Sequence, residues 1–214
     1  MELASIPLSN HIMSMEAPFQ DPAVAHWAAE VVRKARAMGL TAESPELPDL
    51  TLANVMGVVE RVVRAGLAQH AAAQLVGSEP SDAETIAASL RQIDAVLEES
   101  PVPDSEWQQL IGVLGREEVA RLLGVSVSSA IRYERRQRRT PDDVAARLHW
   151  LALIVGDLEG AYNEVGIRRW FHRRRTALEA RAPAQLLDGD WDPDDPEPQR
   201  VRDLARALIA SGAT

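Results

Sequence analysis

The sequence predicts an all-α protein with three parts: an N-terminal helical module, a helix-turn-helix and a small C-terminal helical bundle. Apolar residues recur at helical spacing along most of the chain. Residues typical of helix caps stand before and after these stretches, and no segment has the alternating pattern of a half-buried strand. The predicted parts are residues 1–102, 103–150 and 140–214, with a short overlap between the second and third.

The first predicted helix lies in the acidic N-terminal module. Asp21 is a good N-cap, Pro22 suits the first helical position, and Gly39 suits a left-handed C-cap. Residues 43–49 contain two prolines and are predicted to form a loop.

Two further helices are predicted to complete this module. Thr51 or Asp49 opens a long helix that is predicted to run to about Leu75. Ser81 and Glu84 have the spacing of a capping box, and the helix that they start is predicted to end near residue 99. Residues 100–104, with two prolines, are interpreted as a linker.

The second helix carries a valine-rich stripe from Val55 to Leu67. Its width is enough for a core and for a partner, and single helix-turn-helix units usually pair to read two half-sites. We therefore expect a homodimer or a higher symmetric assembly, although repulsion within the acidic module opposes close pairing there.

Residues 116–136 have the order of a helix-turn-helix. A helix predicted from Ser105 to residue 114 precedes an amphipathic helix over residues 116–123. Gly124 allows a tight turn, Val125 fills the angle between the helices, and Ser126 caps the second helix.

The second helix of this motif has the residues that a DNA-reading helix needs. Short or polar residues near its N-terminus allow approach to base edges in the major groove, and arginines further along reach guanine edges or phosphates. Ala130 and Tyr133 are predicted to face inward, and Ile131 fits either core or groove. The candidate DNA-binding residues are Ser126, Val127, Ser128, Ser129, Arg132, Arg135, Arg136, Arg138 and Arg139.

Charge is distributed in three blocks. The chain has 23 basic and 32 acidic residues, a net charge of −9. Residues 1–108 have net charge −10, residues 109–181 have +5 and residues 182–214 have −4. The basic block coincides with the capped turn and favours DNA as a partner, whereas the alternative is a helical hairpin with a solvated arginine-rich face. Over residues 109–150 the sequence resembles Xre-type helix-turn-helix regulators.

The C-terminal part carries a second resemblance. Thr140 as cap and Pro141 at the first position predict a long helix to about residue 162, followed by short helices over residues 167–171, 183–187 and 198–211. A short helix centred on a tryptophan, a Pro-containing turn that ends in two leucines and a final amphipathic helix are similar to the toxin-binding domain of Xre/MbcA/ParS antitoxins. The chain lacks the glycine that usually precedes the proline in that family, and its loop over residues 188–198 is unusually acidic.

This resemblance implies that the partner is a RES-type toxin, which consumes NAD, and that the C-terminal region covers the mouth of the toxin's active site. Arginines beside aromatic residues are also enriched at interface hot spots. The alternative for the tryptophan and its neighbour is the core of a small bundle. The candidate toxin-binding residues are Arg168, Arg169, Trp170, Phe171, Pro183, Leu187, Trp191 and Leu208.

Several classes of protein are disfavoured by the sequence. The chain has no cysteine, hence no disulfide or thiolate metal site, and its longest apolar run has six residues, so no membrane span is expected. No secretory signal is visible, which favours the cytoplasm.

Residues 188–199 begin like a calcium loop, but Pro193 and Gln199 stand where glycine and glutamate are needed. His149 and His172 lack a carboxylate partner at metal-binding spacing, and no phosphate loop or nucleophile elbow is present, so we expect no metal, no cofactor and no enzyme.

The function predicted from these observations is that of an antitoxin of a type II toxin–antitoxin system. It would neutralise a RES-type toxin and repress its own operon by binding double-stranded DNA at its promoter. The alternative is a stand-alone transcriptional regulator whose C-terminal bundle binds a small ligand or only dimerises.

Overall fold

The structure is a computed structural model that describes residues 18–41, 51–79 and 82–212, with side chains to Leu208. These ranges are built from helices and contain no strand of a sheet, although an isolated bridge pairs Arg175 with Arg181. The predicted all-α class is confirmed. In the described part of the chain, no helix is long and apolar enough to cross a membrane.

The described residues form eleven α-helices and one 3₁₀ turn, Thr176–Leu178, which lies between the ninth and the tenth of these helices. The α-helices are α1 (Pro22–Ala37), α2 (Leu52–Arg64), α3 (Gln69–Gly77), α4 (Ala83–Glu99), α5 (Pro103–Leu114), α6 (Arg116–Leu122), α7 (Val127–Glu134), α8 (Asp142–Glu159), α9 (Glu164–His172), α10 (Pro183–Leu186) and α11 (Pro196–Gly212).

The predicted N-terminal caps of α1 and α2, Asp21 and Thr51, are confirmed. The Asp21 carboxylate accepts hydrogen bonds from the backbone N–H groups of Ala23 and Val24 at 2.9 and 3.2 Å, as predicted. The prediction of one long second helix is wrong, because the chain turns between α2 and α3. Gly66 has φ +86° there and Ala68 has φ 49°.

Three predicted helix starts have different caps in the structure. Ser81 lies outside the described residues, and the Asp82 carboxylate caps α4 by accepting from Thr85 N at 3.0 Å. Helix α5 begins two residues before Ser105. The prediction that Thr140 caps α8 is also wrong, because its hydroxyl instead accepts a hydrogen bond from Trp107 Nε1 at 3.0 Å. The predicted loop over residues 43–49 lies outside the described residues.

Buried apolar side chains form two clusters. The first lies between Phe19 and Leu97 and contains the valines of the α2 stripe, which are Val55, Val58, Val59 and Val62. The second runs from Trp107 to Ala205 and contains residues of the predicted helix-turn-helix and of the predicted bundle together. The α2 stripe therefore serves mainly as core, and α5 to α11 share one apolar interior.

Helix α1 joins the two clusters by packing on α8. The two helices are so close that a Cβ atom at Gly156 would lie 2.6 Å from the Cβ of Ala37. Such a contact is closer than carbon atoms tolerate, so glycine at position 156 is required for this approach.

Beside this contact, buried charges connect α1, α4, α8 and α11. The fully buried Asp157 forms an ion pair with Arg33 of α1 and lies 3.6 Å from Arg202 of α11. Arg202 is also 2.6 Å from Glu98 of α4, which is 2.9 Å from Lys34 of α1. These five residues are hereafter called the ionic network.

The pKa values of the two carboxylates of this network are shifted in opposite directions. Burial raises the pKa of Glu98, but hydrogen bonds and charges from Arg202 and Lys34 outweigh burial and lower that pKa to about 2. At Asp157, burial is the stronger effect and the pKa is raised despite the neighbouring arginines. Glu98 is therefore an anion of the network at neutral pH.

A second buried polar contact lies between α4, α5 and α8. His149 Nδ1 is 2.6 Å from the fully buried Glu106 carboxyl group, and Nε2 is 3.1 Å from the backbone carbonyl of Glu98. Burial raises the pKa of Glu106. Both ring nitrogens of His149 thus have a hydrogen-bond partner inside the fold, so His149 has a structural role here.

The network generates a prediction about acid stability. The Glu98 pKa is lowered from 4.5 to about 2 in the folded protein, so Glu98 takes up a proton on unfolding in that pH range. Its stabilising contribution is present above pH 4.5 and is lost as the pH falls toward 2. We expect Glu98→Gln to lower the free energy of unfolding at pH 7 by up to about 3 kcal/mol, because Arg202 and Lys34 lose their counter-charge.

The measurement is urea unfolding at several pH values between 7 and 2. The curve of unfolding free energy against pH should be shallower below pH 4.5 for Glu98→Gln than for the wild type. Glu99→Gln changes the exposed neighbour on the same helix and is the control, with wild-type behaviour expected. Equal slopes for all three proteins would contradict the role given to Glu98.

Candidate nucleic-acid interface

Helices α6 and α7 are joined by a compact turn. Gly124 has φ +66°, and its N–H donates to Arg121 O at 3.1 Å while Val125 N–H donates to Ala120 O at 2.9 Å. This pair of bonds is a Schellman motif, in which the left-handed residue is usually glycine. The Ser126 hydroxyl then accepts from Ser129 N at 3.1 Å and caps α7, as predicted.

The loop that follows α10 packs against this turn. A Cβ atom at position 124 would lie 2.5 Å from the carbonyl oxygen of Gly189. Nearby, Trp191 Nε1 donates to the carbonyl of Leu122 at 2.7 Å, which satisfies a backbone acceptor at the end of α6. The turn and the C-terminal bundle therefore form one packed unit.

Helix α7 has a buried face and an open face. Ala130 and Tyr133 are buried as predicted, and Ile131 is half-buried. Ser129 is also half-buried, whereas the rest of the first turn is open and Val127 is 41% exposed. Arg132 is exposed on the same side, where its Nε donates to the carbonyl of Ser128 at 3.2 Å. The exposed residues of this part are Ser126, Val127, Ser128 and Arg132.

An ion pair fixes α6 against the end of α7. Arg116 Nη2 lies 2.9 Å from Glu134 Oε2, and Arg116 Nε also donates to the same carboxylate at 3.2 Å. Two donors on one carboxylate give a fixed orientation as well as attraction. The sequence does not reveal this ion pair, because two residues 18 positions apart on different helices produce no periodic pattern.

The four remaining candidate arginines are exposed around the end of α7. Arg136 Nε is 3.5 Å from Asp104, and Arg139 is 2.8 Å from Asp142, in ion pairs that are open to water. Exposed pairs of this kind contribute about 0–1 kcal/mol, so they can be exchanged for phosphate at little cost. Arg138 lies over the Tyr133 ring with 5.8 Å to the centroid, and Arg135 forms no ion pair with the described residues.

Arg136 is held in a left-handed conformation. Its φ is 56°, and the bonds from Arg136 N to Tyr133 O and from Gln137 N to Arg132 O repeat the Schellman pattern at the end of α7. An L-residue pays about 1–2 kcal/mol for this conformation, which glycine would avoid. A basic side chain stands here despite that strain, next to the other candidate arginines.

Most candidate toxin-binding residues lie in the core. Trp170 and Phe171 pack edge to face with ring centroids 5.3 Å apart, and neither is more than 1% exposed. Pro183, Leu187 and Trp191 are buried as well. These five side chains contribute apolar packing and offer no contact surface in this conformation.

The other candidates in this part are more open. Arg168 and Arg169 are exposed on α9, and Leu208 is half-buried on α11. The acidic loop over residues 188–195 is exposed at most positions, and Asp190 forms an ion pair with the buried Arg147. Asp192, Asp194 and Asp195 make turn hydrogen bonds with one another's backbone.

The geometry offers no cluster of metal ligands within the described ranges, where no group of three or more His, Asp or Glu side chains is placed to hold an ion. His172 lies 3.2 Å from Glu118 on α6, far from the core position of His149.

Comparisons with models of protein families, with curated proteins and with solved structures give no match for this chain. Any function assigned to this protein therefore rests on the geometry of α6, α7 and their neighbours.

Substitution of the turn glycine gives a prediction about stability, and a glycine in α5 provides the control. Gly124→Ala should destabilise the protein by more than about 1–2 kcal/mol, because the left-handed strain adds to the clash with the Gly189 carbonyl. Gly112→Ala is the control, since a Cβ atom in that helical position meets nothing within 4 Å. It should raise stability by about 0.5–1 kcal/mol.

Thermal unfolding of the two variants and the wild type checks this expectation. A Gly124→Ala protein as stable as the wild type would show that the loop and the turn do not pack as described.

Proposed function

We propose that the protein is a DNA-binding transcriptional regulator in which α6 and α7 act as a helix-turn-helix and that it represses its own promoter. The observation that carries the proposal is the open face of α7. Its N-terminus is capped and uncovered, its opposite face is anchored in the core, and exposed arginines surround its C-terminal end.

The side chains on this face suit contact with a major groove. Val127 offers an apolar surface for a thymine methyl group, and Ser128 can donate to or accept from base edges. Arg132 has the length and the planar fork for two hydrogen bonds to guanine. Arg135, Arg138 and Arg139 then lie where phosphates flank the groove.

Binding as a homodimer is part of the proposal. One recognition helix contacts only a few base pairs, and two copies would read half-sites about 34–36 Å apart. The α2 valines are buried in the core of a single chain, so the proposed dimer contact lies elsewhere on the surface.

The antitoxin role is the second candidate function, and it rests on the resemblance given above. The acidic loop favours it, because Asp192, Asp194 and Asp195 are exposed and form no ion pair with described residues. A RES-type toxin holds the phosphates of NAD, so a basic rim around its pocket would attract such a loop. The loop, rather than the buried Trp170 and Phe171, is proposed as the toxin contact, and the cytoplasm as the compartment.

The regulator proposal predicts a specific loss in Arg132→Ala. Removing a two-bond contact to a base should weaken binding to the promoter by about 1–3 kcal/mol, while binding to random duplex changes little. Arg91→Ala, which removes an exposed arginine of α4, is the control and should bind as the wild type does.

Gel-shift or fluorescence titrations with promoter and random duplex at several salt concentrations measure this effect. If about 4–6 phosphates are contacted per protomer, log K should fall with log[salt] with a slope between about −3.6 and −5.4. A wild-type protein that binds both duplexes equally would refute sequence-specific regulation.

The antitoxin proposal predicts that Asp192→Asn/Asp194→Asn/Asp195→Asn slows association with the toxin about tenfold at low salt. Asparagine keeps the oxygen acceptors of the turn but removes three charges, so the fold should be retained while electrostatic steering is lost. The measurement is the binding kinetics with the product of a neighbouring gene for a RES-type toxin, which the antitoxin proposal requires. If the unchanged protein does not bind that toxin, the stand-alone regulator is the better account.

A further inference from the structure

Helix α9 presents a row of exposed arginines away from the core. Ile167, Trp170 and Phe171 form its buried face. Arg168 and Arg169 lie on the opposite, exposed face, and the exposed Arg173 and Arg174 follow directly. These four arginines are hereafter called the α9 arginine face.

Three of the four have no internal counter-charge. Arg168 is 2.9 Å from Glu164 in an exposed pair on the same helix. Arg169, Arg173 and Arg174 form no ion pair with any described residue. In a chain with nine more acidic than basic residues, three adjacent uncompensated arginines repel one another, and an anionic partner relieves that repulsion.

The C-terminal end of α9 reaches α6, the first helix of the candidate helix-turn-helix. His172, between Arg169 and Arg173, has its Nε2 3.2 Å from Glu118 Oε1 on the first turn of α6. That turn, from Gly115 to Glu118, lines one open cleft together with Val127 and Ile131 of α7. One side-chain contact therefore connects the end of α9 with α6, and the first turn of α6, with its acidic Glu117 and Glu118, borders the exposed start of α7.

Basic residues on the other side of α7 complete the arrangement. Arg136, Arg138 and Arg139 line an open cleft with Tyr133 and Thr140, beyond the C-terminal end of α7. A helix in the major groove, which is about 12 Å wide, has phosphates on both sides. The recognition helix thus has one basic flank after its C-terminus and a second flank on the α6 side.

We infer that the α9 arginine face is a second phosphate-binding surface, which binds the DNA backbone on the α6 side of the groove. The inference rests on the proposed DNA-binding function. Arginine suits this role because its planar fork binds phosphate oxygens in pairs. Continuity with α6 and α7 favours DNA over an acidic protein as the occupant.

The test uses the full chain with Arg169→Ala/Arg173→Ala/Arg174→Ala. These side chains are exposed and lie outside the apolar core, so thermal unfolding should match the wild type. Loss of three phosphate contacts should make the slope of log K against log[salt] less negative by about 2.7. Affinity for promoter and random duplex should fall by the same factor, which distinguishes this variant from Arg132→Ala.

Two controls accompany the variant. Arg61→Ala/Arg64→Ala/Arg91→Ala removes the same charge from the N-terminal module and should leave the slope unchanged. Lysine at positions 169, 173 and 174 should restore most of the slope, because it restores the charge.

The outcomes separate the two proposals. If the wild type and Arg132→Ala behave as a regulator requires but the α9 variant binds DNA like the wild type, the inference fails and the function stands. If that variant instead loses toxin binding alone, the face belongs to an acidic protein contact and the inference is overturned. A wild type that does not bind DNA overturns both.

Discussion

The pairing of Asp157 with Arg33 and Arg202 is the interaction on which the arrangement of the helices depends. Asp157 is fully buried on α8, and its partners come from α1 and α11, at opposite ends of the chain. Taking such charges out of water costs several kcal/mol per ion, and the cost is offset only when every partner is in place. The network therefore selects one way of docking the acidic module on α8. Because α8 shares its core with α7, the same contact fixes where the acidic module lies relative to the open face of α7.

Local features of the fold were predictable from sequence, and long-range ones were not. Asp21 and Ser126 cap their helices as predicted, since a cap depends only on residues two or three positions away. The break at Gly66 was missed because the valine stripe continues the helical period across it, and the period does not reveal a left-handed residue. The pair Arg33–Asp157 joins residues 124 positions apart, and no periodic pattern carries information of that range.

The candidate site shows the same division. Helical periodicity correctly placed Ala130 and Tyr133 in the core and left the opposite side of α7 open. It could not decide between core and interface for Trp170, because a large aromatic ring gains from leaving water in either place. The structure places that ring in the core, and the exposed residues beside it are arginines. A family resemblance indicates which positions to consider for a contact. The exposure of those side chains depends on how all the helices of the bundle pack together.

The basic block in the sequence divides into two kinds of arginine once the helices are assembled. Arg116 and Arg147 are neutralised by Glu134 and by Asp143 and Asp190, so they hold helices and loops together. Within residues 109–181, the exposed arginines without an ion pair lie on α7, in the loop after it, and on α9 with the two residues that follow it. The charge of a segment is thus a poor measure of the charge that a partner meets. These uncompensated arginines give a chain of net charge −9 a locally cationic surface.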